Sequence, residues 1–394
     1  MRLLLRLAFV LLLCGSGAAG ASAQIYKLPH PDTTLGNFFG AAVSIEGNRA
    51  LVGASAEDVC GESSGAAYIF EREAEGETWK EVAKLTASDC AAGDFFGRSL
   101  SLSGDRALIA AAETFFNTYA SNAAYIFERD STGTWREVAR LTGEYGADEG
   151  SFASSVSLDG DRALITTSGD PAGKPGAAYI YERNEQGMWA KVARLAGSGD
   201  PREGVFGGFG WLDGDRAVVT ASTYYRYKPG SVYLFERNAA TGTWEEVQRI
   251  TGVDDFFISV DLDGDRLIVG ESRGGWRGSG IVSLYVRSAS GKWVLAQTIE
   301  PSYPYEYGAF GTEVALKGDY ALIVGYDEQL GFSFNVDRVV YLFKHGADGK
   351  WRQVREIDVG EVAFGTAVDV GENWALIGQA SEREAGSVYV INLP

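Results

Sequence analysis

Apolar and polar residues alternate along the stretch from Phe95 to Ile109, turn at Ser103-Gly104 and then continue as an aliphatic run. This pattern predicts two antiparallel strands joined by a two-residue hairpin. Equivalent stretches occur seven times, and the residue that opens the aliphatic run recurs every 50 to 57 positions. These reference residues are Ala50, Ala107, Ala163, Ala217, Leu267, Ala321 and Ala375. A period of about 50 residues built of short strands predicts a β-propeller.

Each repeat divides into four predicted strands. The first begins at a Phe-Gly pair such as Phe96-Gly97, the second is the aliphatic run, the third resembles residues 65–72, and the fourth starts at a tryptophan, as in residues 79–85. The last repeat stops after its third strand, whereas residues 25–28 align with residues 82–85. We therefore predict an all-β, seven-bladed propeller of four-stranded antiparallel blades, in which the N-terminal strand completes the last blade.

These residues resemble a known repeat. The run from Lys84 through Phe96-Gly97 and Ser103-Gly104-Asp105 to Ile109 is similar to the bacterial FG-GAP repeat, as is the Gly-Ala-Ala-Tyr-Ile-Phe strand. That family includes the N-terminal β-propeller of integrin α chains. The resemblance spans essentially all of residues 24–394. It implies a seven-bladed propeller and, for many members, extracellular binding or adhesion, but it indicates no ligand.

Residues 1–23 have the composition of a secretory signal peptide. A basic start with Arg2 and Arg6 precedes an apolar run over residues 7–13, and small residues end at Ala21-Ser22-Ala23. The apolar run is too short to span a bilayer, so we expect no membrane insertion. We expect cleavage near Ala23 and a single propeller domain over residues 24–394. The protein is then secreted, periplasmic or held at the cell surface.

The charge of the chain restricts its partners. It carries 35 Lys and Arg against 53 Asp and Glu, a formal net charge of −18, and loss of the two arginines in residues 1–23 makes this −20. So acidic a surface argues against nucleic acid and anionic membranes as partners. We expect a monomer whose partner is an extracellular glycan or a surface protein.

The sequence offers few residues for catalysis. Its two histidines, His30 and His345, lie in separate connecting segments, and neither has a metal-ligand spacing. No Gly-x-Ser-x-Gly nucleophile elbow and no phosphate-binding glycine loop lies in a strand-to-helix context. We therefore expect that the protein is not an enzyme. Two alternatives stay open: a glycan-cleaving propeller with acidic residues at its central funnel, and a purely structural envelope protein.

A calcium site is the one cofactor that the resemblance suggests. Integrin-type repeats often bind calcium through an Asp-x-Asp-x-Asp-Gly loop, because this hard cation needs several oxygen ligands. The nearest stretch here is Asp261-Leu262-Asp263-Gly264-Asp265, which lacks the full ligand spacing. We expect no cofactor and no metal-binding residue, with calcium at this turn as the open alternative.

The connections between second and third strands, and between the fourth strand and the next first strand, are expected to open on one face of the ring. They vary in length and hold large aromatic residues, whereas the hairpin turns of the other face are short and uniform. Aromatic residues on loops of a rigid scaffold are typical of binding surfaces. The candidate ligand-binding residues are Phe115, Phe116, Tyr119, Tyr224, Tyr225, Tyr227, Trp276, Tyr303, Tyr305, Tyr307, Phe332 and Phe334. The alternative is that these loops pack together and close the channel mouth.

Two cysteines follow the signal peptide, Cys60 and Cys90. Cys60 lies in the first connection between second and third strands, and Cys90 lies in the connection that follows the next fourth strand. Both are expected on the same face, and an even number of cysteines in an exported protein suggests a bridge. We predict a Cys60–Cys90 disulfide.

Overall fold

The structure is a computed structural model, and the residues that it describes form 28 β-strands. They are arranged as seven four-stranded antiparallel sheets, and the first strands of neighbouring sheets contact one another around a central axis. This confirms the predicted seven-bladed propeller. The described ranges are 24–30, 34–73, 78–111, 122–143, 151–168, 176–199, 205–222, 230–253, 258–275, 278–301, 308–326, 338–359, 364–381 and 385–394.

Blades 1 to 7 follow the chain, and each contributes one strand to four concentric layers. The innermost strands are β2 (Phe39–Glu46), β6 (Leu100–Ser103), β10 (Ser151–Asp159), β14 (Val205–Asp213), β18 (Ile258–Asp263), β22 (Val314–Lys317) and β26 (Phe364–Val370). The second strands are β3 (Arg49–Ala54), β7 (Arg106–Ala111), β11 (Arg162–Ser168), β15 (Arg216–Ser222), β19 (Arg266–Glu271), β23 (Tyr320–Tyr326) and β27 (Trp374–Gln379). The third strands are β4 (Ala66–Arg72), β8 (Ala123–Arg129), β12 (Ala177–Arg183), β16 (Gly230–Arg237), β20 (Ile281–Arg287), β24 (Arg338–His345) and β28 (Ser387–Asn392). The outer strands are β5 (Trp79–Leu85), β9 (Trp135–Leu141), β13 (Trp189–Leu195), β17 (Trp244–Val253), β21 (Trp293–Ile299), β25 (Trp351–Ile357) and, for blade 7, β1 (Ile25–Lys27).

The two ends of the chain meet in blade 7. Strand β1 pairs antiparallel with β28, with Ile25 opposite Ile391 and Lys27 opposite Tyr389. The N–H of Leu28 donates to the carbonyl of Val388 at 2.8 Å, and the Leu28 side chain is buried in the core between blades 7 and 1. The predicted closure of the ring by the N-terminal strand is confirmed.

The Phe-Gly pair joins each blade to the one before it. Phe96 is buried and its ring centroid lies 5.7 Å from that of Tyr125 in the third strand of the same blade. Gly97 has φ +94, and a Cβ there would lie 2.4 Å from the carbonyl oxygen of Ala66 in blade 1. Only glycine allows both this conformation and this approach of two backbones.

Two inner strands begin later than the sequence predicts. In blades 2 and 6 the inner strand starts at Leu100 and Val314 rather than at the Phe-Gly pair. There the phenylalanine forms a single parallel bridge to the preceding blade, Phe96 with Gly65 and Phe310 with Gly280. The backbone at these phenylalanines therefore pairs with the preceding blade instead of extending the inner strand of its own blade.

A ring of hydrogen bonds runs from blade to blade beside the axis. We call the fifth residue after each Phe-Gly phenylalanine the ladder position. In blades 1 to 3 this residue is a buried serine whose Oγ accepts the N–H of a buried leucine in the next blade. The pairs are Ser44 with Leu102 at 3.2 Å, Ser101 with Leu158 at 3.0 Å and Ser157 with Leu212 at 3.0 Å.

Blades 4 and 6 have no acceptor at the ladder position, where they carry Trp211 and Ala315. In both cases the next blade carries a buried aspartate there, and its two oxygens accept two N–H groups. Asp261 accepts from Leu262 and, in the next blade, Leu316, each at 2.6 Å; Asp369 accepts from Val370 and, in blade 1, Ile45, each at 2.7 Å. All seven backbone donors of the ring are thereby satisfied.

Ion pairs join neighbouring blades on the face that carries the hairpin turns, which we call the turn face. Arg49 of blade 1 lies 2.8 Å from Asp105 and donates to the carbonyl of Gly104 at 2.8 Å, both in the turn of blade 2. The arginines that repeat this arrangement toward the next blade are Arg106, Arg162, Arg216 and Arg266. Because Arg49 and Asp105 are 24% and 61% exposed, each pair contributes no more than about 1 kcal/mol, and the belt acts mainly by fixing blade register.

The exposed edge of most outer strands is interrupted by a β-bulge. In blades 1 to 4 and 6 one valine of the outer strand forms a β-bulge, and its side chain is 45–50% exposed. These valines are Val82, Val138, Val192, Val247 and Val354. A bulge interrupts the regular backbone pattern, which hinders pairing of the exposed edge with another molecule.

Removal of the N-terminal strand is expected to destabilise the ring. Deletion of residues 24–31 removes the pairing of β1 with β28 and the buried Leu28, so the melting temperature should fall more than after deletion of residues 328–335 between β23 and β24. Leu28→Ala alone should cost about 2–5 kcal/mol in urea unfolding, because it empties a buried leucine site. An unchanged melting temperature after the strand deletion would contradict this account of closure.

The stability of variants at the ladder position should depend on whether every buried N–H donor still has an acceptor. Ser101→Ala should cost about 1–3 kcal/mol in urea unfolding, because the buried N–H of Leu158 loses its acceptor. Asp369→Ser leaves one hydroxyl for two donors, and Ala315→Ser in the same chain supplies the missing acceptor. The double variant should therefore be more stable than Asp369→Ser alone; equal stability would refute the ladder.

The same double variant should change the pH dependence of stability. Burial raises the pKa of Asp369 from 3.8 to about 6, so the folded chain holds this proton more tightly than the unfolded chain. The stability that this provides is present below pH 3.8 and is lost as the pH rises through about 6. Between pH 4 and 7 the double variant should gain about 3 kcal/mol relative to the parent, at about 1.4 kcal/mol per pKa unit. Parallel stability curves would contradict the assignment.

Candidate binding face and axial channel

The strand directions place the longer connections on one face of the ring. The second strand of each blade ends there and the third begins there, and the outer strand ends where the next inner strand begins. We call this side the loop face. The opposite turn face carries the two-residue hairpins and the ion pairs described above. The expected division between a variable face and a uniform face is present in the fold.

The aromatic candidates belong to connections of the loop face. Their segments join second to third strands or outer to inner strands, as the strand bounds on either side show. All twelve candidates, Phe115, Phe116, Tyr119, Tyr224, Tyr225, Tyr227, Trp276, Tyr303, Tyr305, Tyr307, Phe332 and Phe334, lie outside the described residues. Their role in binding stays a prediction.

One part of the loop face, between blades 1 and 2, is described in full. Cys60 and Cys90 form a disulfide with their Cα atoms 6.0 Å apart, as predicted. The two loops also share backbone hydrogen bonds, from Gly93 N–H to the Glu62 carbonyl at 2.9 Å and from Phe95 N–H to the Ser63 carbonyl at 3.0 Å. The bridge therefore joins loops that are already held together by the backbone.

A buried carboxylate anchors the first of these loops. Glu57 is 5% exposed, accepts a hydrogen bond from the Tyr68 hydroxyl at 2.7 Å and pairs with Lys84 at 2.5 Å. Asp89 in the second loop similarly accepts from the Tyr125 hydroxyl at 2.7 Å, and burial followed by this bond raises the pKa of Tyr125. These acidic residues bind the loops to their blades.

A channel of about 470 Å³ lies on the propeller axis and is lined by inner-strand residues of all seven blades. Phe38 and Phe95, which precede the inner strands, place it toward the loop face. The third residue after each Phe-Gly phenylalanine, which we call the channel position, contributes to the lining in every blade. These residues are Ala42, Ser99, Ser155, Phe209, Ser259, Glu313 and Ala367. Small and hydroxyl side chains dominate, and Phe209 and Glu313 depart from them.

Of the described residues that line this channel, two carry charged side chains, Arg98 of blade 2 and Glu313 of blade 6. Arg98 is exposed to the channel and Glu313 is half-buried, and both have protein packed closely beside them. This burial raises the pKa of Glu313 to about 7, although Arg338 and a hydrogen bond with Ser259 act in the opposite direction. Burial also lowers the pKa of Arg98. At neutral pH the channel thus presents a cation and a carboxylic acid that is close to its titration point.

The three aspartates of the turn considered for calcium make three different contacts within the protein. Asp261 belongs to the ladder, Asp263 accepts from the N–H of Gly318 at 2.8 Å, and Asp265 lies 3.1 Å from Arg216. Among the residues that the structure describes, no group of three His, Cys, Asp or Glu side chains is placed to hold a metal ion.

The two histidines occupy different surroundings. His30 stacks on Phe39 with ring centroids 3.9 Å apart, and its Nε2 lies 2.8 Å from Asn37 Nδ2. His345 lies 3.5 Å from Asp319 on the turn face. In the described ranges there is also no helix long and apolar enough to cross a membrane.

The channel residues were not among the sequence-based candidates. Arg98, Phe209, Trp211 and Glu313 lie within the repeated strands, where the pattern predicts structural residues. A comparison of the seven repeats position by position would have identified them, because each differs in size or charge from its counterparts.

Comparison with known proteins agrees with this architecture. The profile of the FG-GAP repeat matches residues 23–70, 79–127 and 135–181. Each matched segment holds the outer strand of one blade and the first three strands of the next, so the sequence repeat straddles two blades. Comparison with curated proteins gives no match.

Solved propeller structures are similar in fold at low sequence identity. A Bacteroides uniformis protein proposed to be a 6-phosphogluconolactonase is 12% identical with a TM-score of 0.56, and 82% of this chain and 86% of that chain are covered. The periplasmic gluconolactonase of Pseudomonas aeruginosa is 15% identical with a TM-score of 0.52 and the same coverage. Sqt1 of Saccharomyces cerevisiae is 10% identical with a TM-score of 0.51, covering 92% of this chain and 98% of that chain.

At these identities the solved structures support the fold alone. The three matched segments follow the strand pattern that recurs around the whole ring. Residues 23–70, 79–127 and 135–181 therefore carry FG-GAP repeats, and the seven-bladed propeller formed by the described residues is consistent with an FG-GAP propeller protein.

Proposed function

We propose that this propeller is an exported binding module that takes an extracellular glycan or a surface protein on its loop face. The turn face is occupied by contacts between blades, since its hairpins hold the ion pairs that link each blade to the next. The loop face carries the connections that vary between repeats. A partner can therefore be bound there without disturbing the contacts that hold the ring.

The observation that carries this proposal is the composition of the channel. A glycan-cleaving site commonly needs two carboxyl groups roughly 5–10 Å apart, one acid and one nucleophile or base. Among the described residues, Glu313 is the only acidic side chain in the channel lining. The other buried acids near the axis, Asp261 and Asp369, accept backbone hydrogen bonds between blades. This arrangement favours binding over glycan cleavage.

The aromatic loops supply the residues to test. Tyr224, Tyr225 and Tyr227 lie in one short connection between β15 and β16, so their replacement changes a single loop. Rings of this kind stack on sugars and anchor protein interfaces.

The test is a screen of residues 24–394 on glycan and matrix-protein arrays, beside a variant with Tyr224, Tyr225 and Tyr227 changed to alanine. We expect a ligand that the parent binds and the variant loses by at least tenfold, with an unchanged melting temperature. The matched control changes Val82, Val138 and Val192 to alanine, which removes three exposed apolar side chains away from the loop face, and it should bind as the parent does. Binding retained by the tyrosine variant would place the site elsewhere, and no binding at all would contradict the proposal.

A second candidate function is hydrolysis in the channel, which Glu313 favours. A carboxylic acid with a pKa of about 7 can act as general acid or base at neutral pH. Two of the similar structures bear gluconolactonase in their names. If this candidate holds, the chain accelerates hydrolysis of δ-gluconolactone above the rate in buffer, and Glu313→Gln lowers that acceleration by at least 100-fold. A parent no faster than buffer overturns it.

A further inference from the structure

Blade 4 departs from the repeat at three consecutive positions of its inner strand. Phe209 occupies the channel position and Trp211 the ladder position, with Gly210 between them. At the site of Gly210 the other blades carry Val43, Leu100, Val156, Val260, Val314 and Val368. Phe209 and Trp211 both line the channel, and Phe209 is 36% exposed within it.

Two of these departures change the contacts between blades. Trp211 removes the acceptor that the N–H of Leu262 would otherwise receive from blade 4, and Asp261 has to supply it. Gly210 gives up an apolar side chain, and a Cβ there would lie 2.6 Å from Thr166 and 2.9 Å from Leu164 of blade 3. Positions at which a repeat breaks its own structural rule are candidates for function.

The walls around these aromatic rings combine small and hydroxyl-bearing side chains with aliphatic ones. Blades 7 and 1 lie farthest from blade 4 around the ring, and they present Ala367, Thr366 and Ala42 to the channel. Hydroxyl groups come from neighbouring blades, including Ser155 and Ser259. The volume of about 470 Å³ is within the range of small-molecule sites, roughly 300–1,000 Å³.

The two charged residues flank the aromatic wall symmetrically. Arg98 belongs to blade 2 and Glu313 to blade 6, each two blades away from blade 4. Arg338 interacts electrostatically with Glu313, and Arg98 is the one cation among the described residues that line the channel. A ligand carboxylate is attracted to Arg98, and Glu313 is placed to share a hydrogen bond with a ligand hydroxyl.

We propose that the axial channel binds one carboxylated sugar ring, with its apolar face on Phe209 and Trp211 and its carboxylate at Arg98. The aromatic wall matches the C–H face of a pyranose, and the serine and threonine hydroxyls match its hydroxyl groups. The ligand is a free sugar acid or the end of a polyuronate chain. This site goes beyond the loop-face function and uses none of the loop residues.

The experiment is calorimetric titration of residues 24–394 with glucuronate and galacturonate, beside glucose and galactose, which lack the carboxylate. We expect saturable binding of at least one uronate, and binding of the matching neutral sugar at least tenfold more weakly. Trigalacturonate bound tenfold more tightly than galacturonate identifies a chain end as the ligand, and equal affinity identifies the free acid.

The variants are chosen from what other blades already tolerate. Trp211→Ser installs the ladder residue of blades 1 to 3 and should weaken uronate binding at least tenfold, while the lost packing against the core between blades 4 and 5 lowers the melting temperature. Arg98→Gln should weaken uronate binding at least tenfold and leave binding of neutral sugars unchanged. Val138→Ala on the outer edge is the control. If Trp211→Ser does not melt cooperatively, Phe209→Ser replaces it, because serine occupies that position in blades 2, 3 and 5.

Three results would overturn the proposal: no saturable uronate binding by the parent, uronate binding that survives both substitutions, or neutral sugars bound as tightly as uronates. The loop-face function fails separately. Uronate binding that persists in the Tyr224, Tyr225 and Tyr227 variant, while array binding is lost, supports both sites. Array binding without uronate binding removes the channel site alone.

Discussion

Seven backbone N–H groups beside the propeller axis, one in each inner strand, impose a condition that the whole ring must meet. Each belongs to a buried residue, so its hydrogen bond has to come from the protein rather than from water. A buried donor without a partner costs about 1–3 kcal/mol, and seven of them would exceed the net stability of most domains. Three serines and two aspartates satisfy all seven, and all but two of these bonds cross from one blade to the next.

This condition accounts for the buried acidic residues near the axis. A serine hydroxyl accepts from one neighbouring donor, whereas a carboxylate offers two oxygens. Aspartate therefore occurs at the ladder position only in blades 5 and 7, directly after Trp211 and Ala315. Burial raises the pKa of Asp261 and of Asp369, which at a propeller centre is easily taken for a sign of catalysis. At these two positions the shift reflects packing between blades.

Much of the fold could be predicted because its signals are local or countable. The hairpin turns, the Phe-Gly pairs and the missing fourth strand that β1 supplies all follow from aligning the repeats, and the Cys60–Cys90 bridge follows from their place on one face. The ladder could not be predicted in this way. Its partners lie 55–58 residues apart along most of the ring, and a serine in an alternating strand gives no indication of which backbone group it will meet. The later starts of β6 and β22 were also not predicted, because they depend on contact with the preceding blade.

The candidate site could not be predicted for a different reason: its residues are not repeated from blade to blade. A search for recurring residues directs attention to the positions that hold the ring together, and the channel residues are those that do not recur. A departure from the repeat does not by itself indicate a ligand site, because Ala315 and Trp211 both lack the hydrogen-bond acceptor of the ladder position. Ala315 only removes an acceptor, and one aspartate repairs the loss. In blade 4 the loss comes with a glycine that makes room beside Thr166 and with two aromatic rings in the channel. These three consecutive residues all line the same space, and this is why the channel, rather than the ladder, is the place to look for a ligand.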